Sequence, residues 1–342
     1  MTADLAADLT FTRPPANNPK RVFVLGATGT IGRATVRALA SRGHTVVCCV
    51  RPGTLADASW PPGVSLRFGN VLDPASPSRD GFMGERFDAV VSCMASRTGA
   101  PKDAWAVDHR AHLNVLAAAR TAGVTQWVQL SAICVQKPLL AFQQAKLAFE
   151  AELIASGLAC AIVRPTAFFK SLSGQIERVR QGKPFLVFGN GQLTACKPIS
   201  DRDLANYLAD RLDDSLGDTT CHHRVLTIGG PGDAITPRQQ GEQLFALLGK
   251  PPRFKQVPVA LLDVVIGVLS VAGKLLPSLA AKAELARIGR YYATESMLVL
   301  DPASGRYDAA ATPSTGTDTL FDFYAQVLNG ANAPERGDHA VF

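Results

Sequence analysis

The sequence predicts an α/β protein with a doubly wound parallel sheet, and three observations carry that expectation. Short β-branched or apolar runs alternate with helical patterns through the first half of the chain. A glycine-rich turn follows directly on the first run. The chain's 342 residues, 47% hydrophobic and 19% charged, also supply enough apolar surface for one large core or two smaller ones. Right-handed crossovers put a helix between successive parallel strands, so such a series covers both faces of one sheet and leaves ligands at the strands' carboxyl ends.

The elements follow in order. Val22-Phe23-Val24-Leu25, entered at Arg21, reads as a strand buried on both faces. A helix over 31–41 comes after the tight turn, then strands over 45–50, 64–68, 87–93, 127–130 and 159–163. Beyond Pro165 the alternation loosens: Gly174, Gly182-Lys183-Pro184 and Gly189-Asn190-Gly191 mark loops, a helix follows Asp203, and a strand precedes Gly229-Gly230-Pro231-Gly232. The expected organisation is a flexible extension over 1–19, a Rossmann-type nucleotide-binding domain over 20–165, and a smaller substrate-binding portion over 166–342. There is no internal repeat.

Gly26-Ala27-Thr28-Gly29-Thr30-Ile31-Gly32 stands between a strand and a helix, where glycines permit the turn and let backbone N–H groups approach a pyrophosphate. Gly26, Thr28, Gly29, Thr30, Ile31 and Gly32 are therefore expected cofactor contacts. At the end of the second strand, roughly 20 residues on, an Asp or Glu would grip the ribose hydroxyl of NAD; this chain has Arg51 there. A guanidinium offers forked donors to a 2′-phosphate, which favours NADPH, with a solvated Arg51 as the plainer alternative. Asn70 and Val71, after the third strand, are placed for adenine, and Met94 and Ala95, after the fourth, for the ribose. Pro165 and Thr166, just beyond the sixth strand, complete the expected set.

Ser131 ends the fifth strand, and Phe142-Gln143-Gln144-Ala145-Lys146 opens the next helical stretch. The spacing resembles that of short-chain dehydrogenases/reductases, which carry Ser and Tyr-x-x-x-Lys at these places, except that the tyrosine is Phe142. In that family the phenol donates a proton to a carbonyl while the lysine tunes it and holds the nicotinamide ribose. Ser131 and Lys146 are the expected catalytic residues; an exposed helix lysine is the alternative for Lys146. A site without the phenol suits reduction of a conjugated carbon–carbon double bond, where the substrate itself delocalises the charge.

The resemblance narrows at Leu130-Ser131-Ala132-Ile133-Cys134-Val135-Gln136-Lys137-Pro138-Leu139-Leu140 with Phe142-Gln143 and Ala145-Lys146-Leu147, which is similar to the 8-vinyl reductase family of chlorophyll synthesis. Val163-Arg164-Pro165-Thr166-Ala167-Phe168-Phe169-Lys170-Ser171-Leu172, Ala195-Cys196-Lys197-Pro198-Ile199-Ser200, and Ile288-Gly289-Arg290-Tyr291-Tyr292-Ala293 with Glu295-Ser296-Met297 resemble the same family in the same order. The resemblance implies NADPH-dependent reduction of the C8 vinyl group of 3,8-divinyl (proto)chlorophyllide a to ethyl. It also implies a cytoplasmic enzyme, because the long leader of the plastid members is absent. A flat apolar macrocycle bearing a propionate calls for aromatic walls and a cation. Phe168, Phe169, Tyr291 and Tyr292 are the candidate walls, and Lys170, Lys197 and Arg290 the candidate anion partners.

Other classes fit less well. The net charge of +6 comes from scattered rather than clustered Lys and Arg, which argues against nucleic acid. Seven cysteines form no CxxC pair; Cys48 and Cys49, adjacent in a strand, should face opposite sides as reduced, buried thiols. Cys221-His222-His223 has no second cluster to close a tetrahedral site, so no metal is expected. The apolar run over 257–276 is interrupted by Pro258, Asp263 and Lys274. It reads as a buried or substrate-covering helix, with peripheral membrane contact as the lesser alternative. A non-catalytic NADP-binding regulatory or structural protein and an isoflavone-reductase-like ene reductase are the rival functions; no obligate protein partner is evident.

Overall fold

The computed structural model describes residues 16, 18–54, 60–212, 223–274 and 276–330. Its strands are β1 (Arg21–Leu25), β2 (Thr45–Val50), β3 (Ser65–Phe68), β4 (Ala89–Ser92), β5 (Gln126–Leu130), β6 (Ala159–Pro165), β7 (Phe185–Phe188), β8 (His223–Ile228) and β9 (Phe254–Val257), followed by a short antiparallel pair. Seven of them form one sheet in the order β3-β2-β1-β4-β5-β6-β8, with parallel pairing throughout. The order reverses between β1 and β4, which opens a crevice at their carboxyl ends.

Helices cover both faces. Val22, Val24 and Cys48 pack with the helices Thr30–Ser41 and Asp201–Asp210 on one side. Phe23, Leu25, Val47 and Cys49 pack with the helices His112–Thr121 and Ala141–Ala155 on the other, around Trp127 and Phe149. Each fully buried aliphatic or aromatic side chain contributes about 1.5–3 kcal/mol, so these two layers hold the sheet. Cys48 and Cys49 do face opposite cores, and burial pushes their thiols up to about 12 and about 11. Neither is a thiolate at neutral pH.

The boundary expected at Pro165 does not close the nucleotide domain. β8 and the helix Asp201–Asp210 come from beyond it, yet one extends the main sheet and the other covers it. Parallel pairing joins segments far apart in sequence, so no local pattern marks which later strand completes the sheet. The rest of the second half builds its own core from Phe169, Val179, Phe185, Leu244, Phe245 and Tyr324, with β7 and β9 as a separate parallel pair.

For the apolar run over 257–276 the buried alternative is corrected. The run forms the helix Val259–Gly273, in which no residue is buried. That helix packs alongside the helix Pro277–Thr294 as a hairpin. Among the described residues no helix is long and apolar enough to cross a membrane. Cys221 and His222, like most of the extension over 1–19, lie outside the described residues.

Candidate functional site

The glycine turn is dictated by close contacts. Gly26 has a φ of +70°, and a Cβ there would lie 2.6 Å from the backbone of Cys93 and Met94 at the end of β4. A Cβ on Gly32 would lie 2.0 Å from the Gly26 carbonyl oxygen. Gly29 is different: the nearest atom to its Cβ position is 3.5 Å away. The helix Thr30–Ser41 therefore starts at an open backbone, with no side-chain cap and no acidic residue in its first turn. Its unpaired N–H groups and dipole favour an anion. Lys170 Nζ donates to Thr30 Oγ1 at 2.8 Å and adds a cation at that helix end. Thr28 is exposed beside it, and Ile31 packs against the first core. These features fit a dinucleotide pyrophosphate.

Arg51 is exposed directly after β2, and its guanidinium has no partner among the described residues. A second cation that sequence reading missed stands nearby in the chain. Arg33 lies in the first turn of the helix, its guanidinium 5.0 Å from the Trp60 ring centroid and its Nε donating to the Thr28 carbonyl at 3.3 Å. Its position directly after Gly32 is the signal that could have found it. At the neighbouring strand ends Asn70 Oδ1 accepts from Leu72 N, Val71 is half-buried, Met94 is half-buried against the second core, and Ala95 is exposed.

The helix Ala141–Ala155 brings Phe142, Lys146 and Glu150 to one face at four-residue spacing. Lys146 Nζ is 2.9 Å from Asp108 Oδ1, with the lysine side chain 11% exposed and the aspartate fully enclosed. Asp108 was missed by sequence reading. It sits in the π-helical segment Trp105–Ala111, whose wider turn re-aims its side chain ahead of the helix His112–Thr121. Asp108 Oδ1 also accepts from Ser96 N at 3.2 Å, and Oδ2 is buried without a partner. Burial works to raise this carboxyl, but the Lys146 ammonium and the Ser96 hydrogen bond hold it below the ordinary carboxylate value. The pair is thus ionised, and the ammonium is fixed in place.

Behind it His112 is wholly buried, its Nδ1 donating to the Val107 carbonyl at 2.9 Å and its Nε2 accepting from Ser92 Oγ at 2.8 Å. Burial is the main cause that pushes its pKa down to about 4, against the pull of Asp108. The unfolded chain gains a proton at His112 near pH 6.5 that the folded chain refuses until about 4. Stability is therefore lost as pH falls through that window, by up to about 3 kcal/mol. Urea unfolding at pH 7 and pH 5 should show this loss in the wild type, and His112→Gln should remove most of it. An equal loss in the variant would assign the pH dependence to other groups.

Ser131 is placed differently from expectation. It is buried, and its hydroxyl donates to Glu150 Oε1, a carboxylate paired in turn with Arg164. The hydroxyl is committed inward to a buried ion pair rather than offered to a substrate.

The helix Pro277–Thr294 leans over this region. A Cβ on Gly99 would lie 2.9 Å from Ile288 Cδ1 and 3.7 Å from Phe142 Cδ1, so these three residues meet. Tyr291 is buried and donates to the Cys134 carbonyl at 2.9 Å; the Tyr292 hydroxyl is 3.9 Å from Cys134 Sγ while its ring is partly exposed. Burial pushes both phenols up, so both keep their protons. Gln143, one residue from Phe142, is buried, with its side chain directed at Cys134 and Tyr291. The orphaned Asp108 Oδ2 nearby is what a bound ligand or water would satisfy.

The remaining expected residues divide. Phe168 is half-buried against the first core and bridges to Ile199. Phe169 is a core residue, its ring tilted against Phe323 at a centroid distance of 5.6 Å, and is no pocket wall. Lys197 Nζ donates to the Thr312 carbonyl and Ser314 Oγ, which ties it to the C-terminal loop. Arg290 pairs with Asp263 on the neighbouring helix. Pro165 and Thr166 are buried at the end of β6, with Thr166 Oγ1 donating to the Lys197 carbonyl. Lys170 lies on the nucleotide side, at Thr30, rather than among the aromatic residues.

A family model described as NAD(P)H-binding matches residues 26–215. The chain is 48% identical to the chloroplastic divinyl chlorophyllide a 8-vinyl-reductase of Cucumis sativus, over 96% of this chain and 81% of that one. It is 47% identical to the enzyme of the same name from Arabidopsis thaliana, over 93% and 79%. Among solved structures, WbmG of Bordetella bronchiseptica in complex with NAD superimposes with a TM-score of 0.65 at 18% identity, over 92% of this chain and 94% of that one, a likeness of fold.

Proposed function

The chain belongs to the divinyl chlorophyllide a 8-vinyl-reductase family, and from that premise we propose how its own residues carry out an NADPH-dependent reduction of a pigment vinyl group. It is an oxidoreductase of chlorophyll synthesis with an NAD(P)H-binding fold. The reaction takes the C8 vinyl group of a 3,8-divinyl chlorophyllide or protochlorophyllide to ethyl. The nicotinamide, when bound, supplies hydride to one vinyl carbon.

One observation carries the reading of the site: Lys146 is held rigidly by buried Asp108 on the same helix face where Phe142 replaces the carbonyl-protonating phenol. The lysine keeps two N–H donors for the ribose hydroxyls of the nicotinamide, and the aspartate stops it from swinging. With no acid at Phe142, a ketone oxygen would gain nothing there. A vinyl group conjugated to a macrocycle spreads the charge into the ring, so its second carbon can take a proton from water. Phe142, Ile288 and the exposed part of Tyr292 offer the apolar wall for the ring. The six cysteines among the described residues are free thiols, which fits a reducing compartment such as the cytoplasm.

Arg51 and Arg33 support the phosphorylated cofactor, since both cations stand at the glycine-turn end of the sheet where the adenosine ribose would lie. Loss of a charged hydrogen-bonding partner costs about 1.5–3 kcal/mol, so Arg51→Ala should weaken NADPH binding about ten- to hundredfold and leave NADH nearly unchanged. Arg33→Ala should have the same sign. Equal effects on both nucleotides would remove the 2′-phosphate role. The reaction itself is tested with NADPH deuterated at the nicotinamide C4: the label should appear on the pigment's new ethyl group. An unlabelled pigment, with nucleotide binding intact, would overturn the proposal.

A further inference from the structure

We propose that the hairpin of helices Val259–Gly273 and Pro277–Thr294 docks peripherally on an anionic lipid bilayer. In the first helix Leu261, Val264, Val268 and Val271 are each more than half exposed, and Val265 adds to the same side. Their spacing of three and four residues makes one continuous stripe. The opposite side, with Leu262, Ile266, Leu269 and Ser270, is the half-buried one and meets the second helix. A soluble chain that leaves this much contiguous aliphatic surface in water marks a place where something covers it.

The charges say what covers it. Both acids of the hairpin are neutralised within it, Asp263 by Arg290 and Glu284 by Arg287. Lys274, at the end of the stripe, and Lys282 are exposed and have no partner among the described residues. Lys250 and Lys255, just before the hairpin, are likewise exposed and unpaired among the described residues. An apolar stripe flanked only by uncompensated cations complements acyl chains beneath negatively charged headgroups. A spanning role is ruled out by length: 15 residues of helix reach about 22 Å against a hydrocarbon core of about 30 Å. The helix lies in the interface plane instead. A second copy of the chain is the rival occupant, but the stripe covers only about two heptads where a coiled-coil seam needs about three or four.

Docking would have a consequence for the site. The second helix carries Ile288, Tyr291 and Tyr292, so the bilayer would lie close to the region around Phe142. An apolar pigment could then enter from lipid, a corollary that rests on the proposed reaction, whereas the docking does not.

The test is flotation of the full chain, without pigment or nucleotide, on vesicles of phosphatidylcholine alone and of phosphatidylcholine enriched in phosphatidylglycerol. The wild type should float with the anionic vesicles, far less with the neutral ones, and less as salt rises. Lys274→Glu with Lys282→Glu should reduce binding by about fivefold or more per residue. Val264→Asp with Val268→Asp should reduce it more than about tenfold, with NADPH affinity unchanged as the control for folding. Wild-type protein that ignores both vesicles, or an aspartate variant that floats as well as wild type, would overturn the proposal. So would a dimer in analytical ultracentrifugation that the aspartate variant dissolves while wild type shows no lipid binding, which would give the stripe to a second copy.

Discussion

Lys146→Met is expected to lower vinyl-reductase turnover about a hundredfold or more, the range lost when a positioned catalytic group is removed. The same substitution strands Asp108, whose carboxylate is fully enclosed and whose second oxygen already lacks a partner. An unpaired buried charge costs about 3–5 kcal/mol, so the single variant should also melt lower. The two effects separate in a double variant. Lys146→Met with Asp108→Leu replaces the pair by apolar groups and should recover most of the stability, because exchange of a buried ion pair for hydrophobic residues is close to neutral. It should not recover activity. Recovery of turnover together with stability would reduce Lys146 to a structural partner of Asp108.

Gly32→Ala is the second large effect. Its Cβ would sit 2.0 Å from the Gly26 carbonyl oxygen, a backbone atom that cannot turn aside, so the glycine loop must move. Overpacking of this kind costs about 1–3 kcal/mol. Both the melting temperature of the nucleotide-free protein and the affinity for NADPH should fall, the latter about ten- to hundredfold. Gly29→Ala makes the comparison: its φ of −74° suits alanine and its Cβ meets nothing closer than 3.5 Å. That variant should keep its melting temperature and lose only nucleotide affinity, because the added methyl occupies the approach to the pyrophosphate. Unchanged NADPH binding in both would place the nucleotide elsewhere.

The parts of this molecule legible in its sequence are those written in local patterns. β2 was read to the residue, Thr45–Val50, and Cys48 and Cys49 fall on opposite faces because strand periodicity alone decides that. The glycine turn was legible because backbone geometry restricts residue type. What escaped depends on long-range partners. Asp108 has no signal of its own: an aspartate 38 residues before Lys146 becomes its partner only through the π-helical turn that aims it. Phe169 and Tyr292 read alike as aromatic candidates, yet one fills a core and the other keeps an exposed ring, since side-chain type does not state which face an element buries. Lys197 and Ser131 carry functional groups of the expected kind, and both are consumed by internal hydrogen bonds that only the fold defines. β8 shows the same limit for the sheet, since its partner β6 is about 60 residues earlier, beyond any local pattern.

The central claim is that this site reduces one vinyl group of a conjugated tetrapyrrole with hydride from NADPH. The most direct measurement is incubation of purified protein with divinyl chlorophyllide and NADPH, followed by absorption spectroscopy and mass spectrometry of the pigment. Removal of one conjugated vinyl group should shift the blue absorption band to shorter wavelength, and the pigment should gain two hydrogen atoms. An unchanged spectrum and an unchanged pigment mass, with NADPH bound and the protein folded, would contradict the account.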